Sequence, residues 1–313
     1  MPVRSIRIAT RSSRLALWQA EHVASLLTAV APDVPVEIIH VSTLGDRDLT
    51  APLSSLGAFG VFTREVQRVV LDGQADLAVH SLKDLPTDFV EGLCLGAVPA
   101  RGPVFDTLVL PQGAASDASW ESLPLGARLE TGSLRRQAQL LHARSDLKLL
   151  EIRGNVETRL RKLDAGDYDA IVLAVAGLER LGLEGRITQP LQPPIMFPAV
   201  GQGALGLECR SDDDWLRQIL SQLNHTQTLA AVTAERSLLA DLRAGCHAPL
   251  GVFANCDDTN LNLQAVVLSP DGQSRLFAQA TLPMAGAKEL GQTVATELRS
   301  QGADAVIQAA RQA

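Results

Sequence analysis

Apolar and polar positions along the chain change period at regular intervals. "SIRIAT" opens as a strand, and "RLALWQAEHVASLLTAV" repeats its apolar residues at helical spacing. "VPVEIIHVS" reads as a second strand. "FTREVQRVVLDG" reads as a helix stopped by Gly73, and "ADLAVHS" as a third strand. After a break at Pro99 to Pro103 come further strand–helix units in "ARLETGSLRRQAQLLHA", "LKLLEIRGNVETRLRKLDAG" and "YDAIVLAVAGLERLG". Strands that alternate with helices predict largely parallel sheets covered on both faces. From about residue 225 the pattern changes. "TLAAVTAERSLLADLRAG" predicts a helix, followed by three strand-like runs with turns such as "SPDG" and a last helix from Ala287. This tail predicts a small α+β domain.

Two echoes pair the earlier units. "RIATRS" (Arg7 to Ser12) and "RLETGS" (Arg128 to Ser133) share a strand-to-helix junction, while "LDGQADLAVHS" and "LDAGDYDAIVLAV" share a helix end, an Asp and a buried strand. Two matches in the same order predict paired α/β lobes, an arrangement that suits a ligand near the carboxyl ends of the strands. "PARGP" and the Pro-rich "QPLQPPIMFPAVGQG" are the predicted crossings, which makes a hinge plausible. The expected division is 1–99 with 203–222, then 104–197, then 225–313.

Composition narrows the classes. The chain has 313 residues, 46% hydrophobic and 20% charged, enough for two or three cores. "MPVRSIRIATR" lacks the apolar region of a secretory signal, and no apolar run approaches the ~20 residues of a membrane helix. Cys94, Cys209, Cys246 and Cys256 are scattered without metal spacing, so reduced thiols, a cytoplasmic location and no metal are expected. A net charge of −7 argues against a nucleic-acid partner, and a membrane partner is not expected either. From Glu130 to Lys162, however, eight Lys/Arg face four Asp/Glu, so this window carries +4 and the rest −11. That island suggests a local anion site.

The candidate chemistry follows the arginines. Arg11 lies just past a strand and before a helix; Arg135 and Arg136 hold the matching junction of the second lobe, after Thr131 and Ser133. Arg153 ends another strand, and Arg159 lies in the first turns of the next helix. Guanidinium forks at helix amino termini make receptors for carboxylates or phosphates. Asp84, beside Lys83 in "AVHSLKDLPT", is the exception: either a turn or ion-pair residue before Pro86, or a carboxylate for a ligand with donors or developing positive charge. Gly201, Gly203 and Gly206 match G-x-G-x-x-G, but a Pro-rich linker precedes them and a strand follows, which excludes a dinucleotide site. Cys246, in "GCHAPLG", suits either an accessible loop thiol or an inert buried one.

The segments "RIATRSSRLALWQA", "ADLAVHSLKDLPT", "TGSLRRQAQL", "RGNVETRLRKLDAGDYDAIVLAVAGLERL", "PAVGQGALGLECR" and "AERSLLADLRAGCHAPLG", in this order over nearly the whole chain, resemble the porphobilinogen deaminase (hydroxymethylbilane synthase) family. The resemblance implies an α/β fold of two periplasmic-binding-protein-like lobes with mixed, mostly parallel sheets, plus a C-terminal α+β domain. It implies a transferase that joins four porphobilinogen molecules and releases ammonia, in tetrapyrrole biosynthesis. A dipyrromethane cofactor would be held by a thioether on Cys246, with Lys83, Ser81, Thr131, Ser133, Arg135, Arg136, Arg159 and Gln202 around it. Asp84 would be the catalytic carboxylate; Arg11, Ser13, Arg153, Arg159 and Arg180 would hold substrate. A monomer is expected. Phe59 stands where the family usually has Lys, Ser55 near another usual basic position, Glu130 where Gly is expected and Gly132 where Ser is expected. A two-lobed binding protein for an anionic solute, or an impaired paralogue, are the alternatives.

Overall fold

Strand β1 (Ile6–Arg11) buries alternate and consecutive apolar residues and leads into helix α1 (Arg14–Val30), whose Ser13 side chain accepts from the Ala16 N–H. The computed structural model describes residues 4–42, 63–88, 90–115, 117–152, 154–245 and 248–312. Next come β2 (Val36–Val41), α2 (Arg64–Leu71), β3 (Leu77–Ser81) and β4 (Leu93–Ala97). The following segment holds β5 (Asp106–Val109), β6 (Arg128–Glu130), α3 (Leu134–Ala143), β7 (Lys148–Leu150), α4 (Val156–Asp164), β8 (Ala170–Ala174), α5 (Val175–Arg180) and β9 (Gln189–Leu191). The chain continues through β10 (Leu205–Arg210), α6 (Asp214–Ser221) and α7 (Thr226–Asp241). It closes with β11 (Leu250–Cys256), β12 (Asn260–Leu268), β13 (Arg275–Pro283), α8 (Ala287–Ser300) and α9 (Ala303–Ala310).

Two five-stranded sheets have the orders β2-β1-β3-β10-β4 and β7-β6-β8-β5-β9. In each, the first three strands are parallel and the fourth is antiparallel to both its neighbours. The expected class, α/β lobes with mixed, mostly parallel sheets and a small C-terminal domain, is the observed one. The chain separates into two compact units, 1–102 with 203–229, and 103–202 with 230–313. The first unit contains the first sheet. Its core packs Ile6, Ile8 and Leu77 against Ala20, Val23 and Leu27 of α1.

The second unit contains the second sheet and the antiparallel β11-β12-β13 sheet with its covering helices. A small apolar seam of Ala138, Phe197, Val266 and Leu268 joins the lobe to the C-terminal domain. The Val252 N–H donates to Pro198 O at 2.8 Å across the same seam. Gly251 faces Phe197 so closely that a Cβ there would lie 2.6 Å from the Phe197 Cβ, so the seam requires glycine.

Two details differ from the sequence expectation. The Pro-rich crossing begins with a strand: Pro190 of β9 lies opposite Thr107 of β5, on the sheet edge where a missing N–H is tolerated. The last helix is two helices, interrupted by Gly302 at φ +100°. No helix among the described residues is long and apolar enough to cross a membrane.

Candidate functional site

In the first lobe, β3 ends at Ser81 and turns at once into a single 3₁₀ turn, Leu82–Asp84. Leu82 is buried, and its N–H donates to Ala204 O at 3.0 Å; the Leu85 N–H closes the turn on Leu82 O at 3.2 Å. An apolar anchor thus leaves Asp84 exposed at a fixed place. A cavity of about 100 Å³ is lined by Asp84 together with Thr10, Arg11, Ser13, Gln19 and Ser81. The Gln19 amide donates to Ser81 Oγ at 2.8 Å, and Thr10 Oγ1 donates to Ala16 O at 3.1 Å, so strand ends and α1 are tied at its rim. Lys83 is half-buried beside Asp84 and is not among the residues lining this cavity.

His80 also lines this cavity and belongs to a buried polar cluster that sequence reasoning missed. His80 Nε2 meets Glu208 Oε2 at 3.1 Å, and the Gln67 amide donates to both Glu208 oxygens at 3.1 and 3.0 Å. The antiparallel pairing of β10 with β3 creates it, and no local pattern announces that pairing.

In the second lobe, Arg135 and Arg136 are both buried and both bind Asp106, which is fully buried. Arg135 Nη1 donates to Asp106 Oδ2 at 2.7 Å and to Phe197 O at 2.7 Å. Arg136 donates Nε and Nη2 to Asp106 Oδ1 at 3.1 and 2.6 Å, and Nη1 to Val172 O at 2.8 Å. The Gln202 amide joins them, at 3.2 Å from Asp106 Oδ1 and 2.7 Å from Val104 O. Burial pushes Arg135 below the usual arginine value, and Asp106 pulls it back up. Two guanidiniums around one carboxylate leave a net positive charge. Asp106 was not singled out from sequence; its only signal is a charged residue opening a short strand, Asp-Thr-Leu-Val.

Thr131 is buried just past β6, and its hydroxyl accepts the Ser133 N–H at 3.2 Å. Ser133 is the cap residue of α3 but makes no side-chain cap bond, so it leaves the first-turn amides to other acceptors. Arg159 of α4 donates Nε to Gly154 O at 3.0 Å, and its Nη1 lies 3.8 Å from Glu130 Oε1. Burial lowers both Arg159 and Arg180 from the usual arginine value, with Glu130 and Glu179 respectively opposing it. Ser13 keeps a structural bond as the α1 cap, at 3.4 Å from the Ala16 nitrogen. The structure therefore gathers Arg11, Ser13, Ser81 and Asp84 in one unit, and Arg135, Arg136 and Gln202 around Asp106 in the other. Arg153, Cys246, Phe59 and Ser55 lie outside the described residues.

Solved structures with a similar course include YhfZ from Shigella flexneri, at 16% identity over 77% of this chain and 91% of that one, with a TM-score of 0.36. The periplasmic VFT2 domain of Bordetella pertussis BvgS matches at 17% over 71% and 86%, TM-score 0.41. The Salmonella typhimurium periplasmic binding protein STM4351, described for its arginine specificity, matches at 11% over 71% and 92%, TM-score 0.39. At these scores the likenesses carry no functional inference. The family models do. "Porphobilinogen deaminase, dipyromethane cofactor binding domain" matches residues 6–218, and "Porphobilinogen deaminase, C-terminal domain" matches residues 229–300. With both domains matched in order across most of its length, the chain belongs to the porphobilinogen deaminase family.

Proposed function

We propose that this protein is a hydroxymethylbilane synthase, which condenses four porphobilinogen molecules head to tail and releases ammonia at each addition. Membership of a family of tetrapyrrole synthesis supports the class of reaction. The observation that carries the reading to chemistry is Asp84, an exposed carboxylate sharing a cavity with Arg11, Ser13 and Ser81. The proposed domains are 1–99 with 203–222, then 104–197, then 225–313.

The residues present fit a dipyrromethane group. Its acidic arms need cations and amide donors, and the second lobe offers a net-positive Arg135–Arg136–Asp106 cluster and α3 amides without a side-chain cap. Cys246 would hold it by a thioether, with Ser81, Lys83, Thr131, Ser133, Arg135, Arg136, Arg159 and Gln202 around it. When bound, dipyrromethane supplies the pyrrole carbon to which the first substrate is joined.

The side chains of the protein do the rest. Arg11, Ser13, Arg153, Arg159 and Arg180 hold substrate acetate and propionate groups. As the aminomethyl nitrogen departs with the bonding electron pair, positive charge spreads over the substrate pyrrole. The Asp84 carboxylate stabilises that charge and accepts pyrrole N–H groups. A preorganised contact of this kind is typically worth ~10²–10³ in rate. Lys83 offsets part of the Asp84 charge and meets substrate carboxylates.

The test is the intact mass of protein made in cells that synthesise porphobilinogen. It should exceed the sequence mass by one dipyrromethane, and Cys246→Ser should remove the excess. Unmodified wild-type protein that also leaves porphobilinogen unconsumed would overturn the reading.

A further inference from the structure

Glu130 ends β6 at 0% exposure, and neither of its carboxylate oxygens has a hydrogen-bond partner among the described residues. An orphaned buried carboxylate is costly, because it gives up its water without compensation. Its nearest cation is Arg159, with Nη1 at 3.8 Å, which is ion-pair distance but beyond a hydrogen bond. Arg159 keeps 23% of its side chain exposed. The Arg159 side chain is thus partly open to solvent, whereas the carboxylate beside it is fully buried. Arg136 of α3 and Lys162 of α4 also act on Glu130 through their charge, the Gly132 amide adds a weak pull, and Tyr168 feels it from the loop before β8. Asp106 is bound to Arg136 and takes up part of that charge.

The fold does not require an acid at this place. In the first lobe the equivalent residue is Ala9: Ala9 pairs with Ala78 on the neighbouring parallel strand as Glu130 pairs with Ile171. Ala9 sits in an apolar cluster with Val66, Val70 and Ala78. The same strand position is filled by a methyl in one lobe and by an unsatisfied carboxyl in the other.

We propose that Glu130 is a specificity-determining residue, a built-in anion that competes with ligand carboxylates for Arg159 when ionised and yields Arg159 to them when protonated. The identification of the ligand as porphobilinogen or its pyrrole chain rests on the function proposed above. Burial pushes the Glu130 carboxyl up to about 7, while Arg159, Arg136 and Lys162 pull it down without prevailing. The two states therefore exchange near neutral pH. By linkage, an anion bound at Arg159 makes Glu130 harder to ionise, so binding takes up a proton. Affinity for an anion falls as pH rises through the exchange, by ~10-fold for one added charge at this range.

The test compares the full-length wild type with Glu130→Gln, which keeps the shape without the charge, and with Glu130→Ala, which copies the first lobe. Sulfate, a dianion at every pH used, is titrated calorimetrically at pH 6 and pH 8 in buffers of different ionisation heat. Wild-type affinity should drop ~10-fold between the two with proton uptake on binding, and both variants should show neither effect. In the same range the wild-type KM for porphobilinogen should rise while kcat changes less, and the variants should hold a low, flat KM. An equal pH step in wild type and Glu130→Gln, or no step in the wild type, would overturn the proposal. A chain that shows the sulfate step but carries no dipyrromethane and consumes no porphobilinogen would sink the proposed function and leave the role of Glu130 toward anions standing.

Discussion

The two α/β lobes share one anchor and diverge just beyond it. In the first, Arg7 donates its N–H and Nε to Asp76 Oδ2 at 3.0 and 2.9 Å, and Nη2 to Gly73 O at 2.9 Å. In the second, Arg128 donates its N–H and Nε to Asp169 Oδ2 at 2.7 and 3.3 Å, and Nη2 to Gly166 O at 3.1 Å. Arginine, helix-end glycine and aspartate fasten β1 to β3 in the first lobe and β6 to β8 in the second. The buried ionisable side chains beyond that anchor differ. The first lobe has His80 and Glu208 inside, at positions that align with Leu173 and Val109 of the second. The second has Asp106 and Glu130 inside, where the first has Leu205 and Ala9. The same alignment sets Asp84 opposite Gly177, so the exposed carboxylate belongs to one lobe alone. The strand framework that the lobes share accommodates either set.

The sharpest way to break this comparison is to move a residue from one lobe to the other. Asp106→Leu copies Leu205 and strands two buried guanidiniums. Loss of one partner from a buried cluster costs about 3–5 kcal/mol, so urea unfolding should shift by that amount, and a shift under 1 would show that Arg135 and Arg136 find other partners. Asp84→Ala removes an exposed side chain. Turnover of porphobilinogen should fall ~10²–10³-fold with an unchanged unfolding midpoint, and retained turnover would remove Asp84 from the chemistry.

Glu130 gives a pH effect of known sign. Its carboxyl is held up near 7 in the fold against about 4.3 in an unfolded chain. The folded state therefore binds the extra proton between these values, and stability falls as pH rises through that window. Wild type should lose about 3 kcal/mol relative to Glu130→Gln between pH 4 and pH 8, measured by paired denaturation at both pH values. The smallest effect compares the two anchors. Asp76 is 4% exposed and near Arg4, Arg7 and Arg210, whereas Asp169 is 33% exposed with Arg128. Burial raises Asp76, but its bonds to Arg7 prevail and the carboxyl sits below the usual value; Arg128 lowers Asp169 likewise. Both contributions are present above about pH 4 and fade as pH falls. Asp76→Asn should cost about 2 kcal/mol and Asp169→Asn under about 1 kcal/mol; equal costs would mean that burial does not distinguish the anchors.

Much of the framework is legible in local pattern. Helix α1 begins and ends where its apolar spacing does, and Arg7–Ser12 and Arg128–Ser133 announce the paired lobes as an echo. Period, capping and turn chemistry act between near neighbours, so they are written within a few residues of one another. The family motifs likewise mark Asp84 and the arginines.

What local pattern withheld are the partners across the sheet. The sequence shows Arg135 and Arg136 as candidate ligand receptors but not their buried partner Asp106, which β5 brings to them from 29 and 30 residues away. The sequence marks Glu130 as an acid where Gly is expected, but only the structure shows it removed from water beside Arg159. The amino-acid sequence by itself determined the elements, their repetition and the kinds of side chain available. Only the tertiary structure decided which charges are desolvated and which carboxylate faces which guanidinium. Burial and Coulomb energy depend on distance in space, and strand pairing brings together residues that the chain keeps far apart.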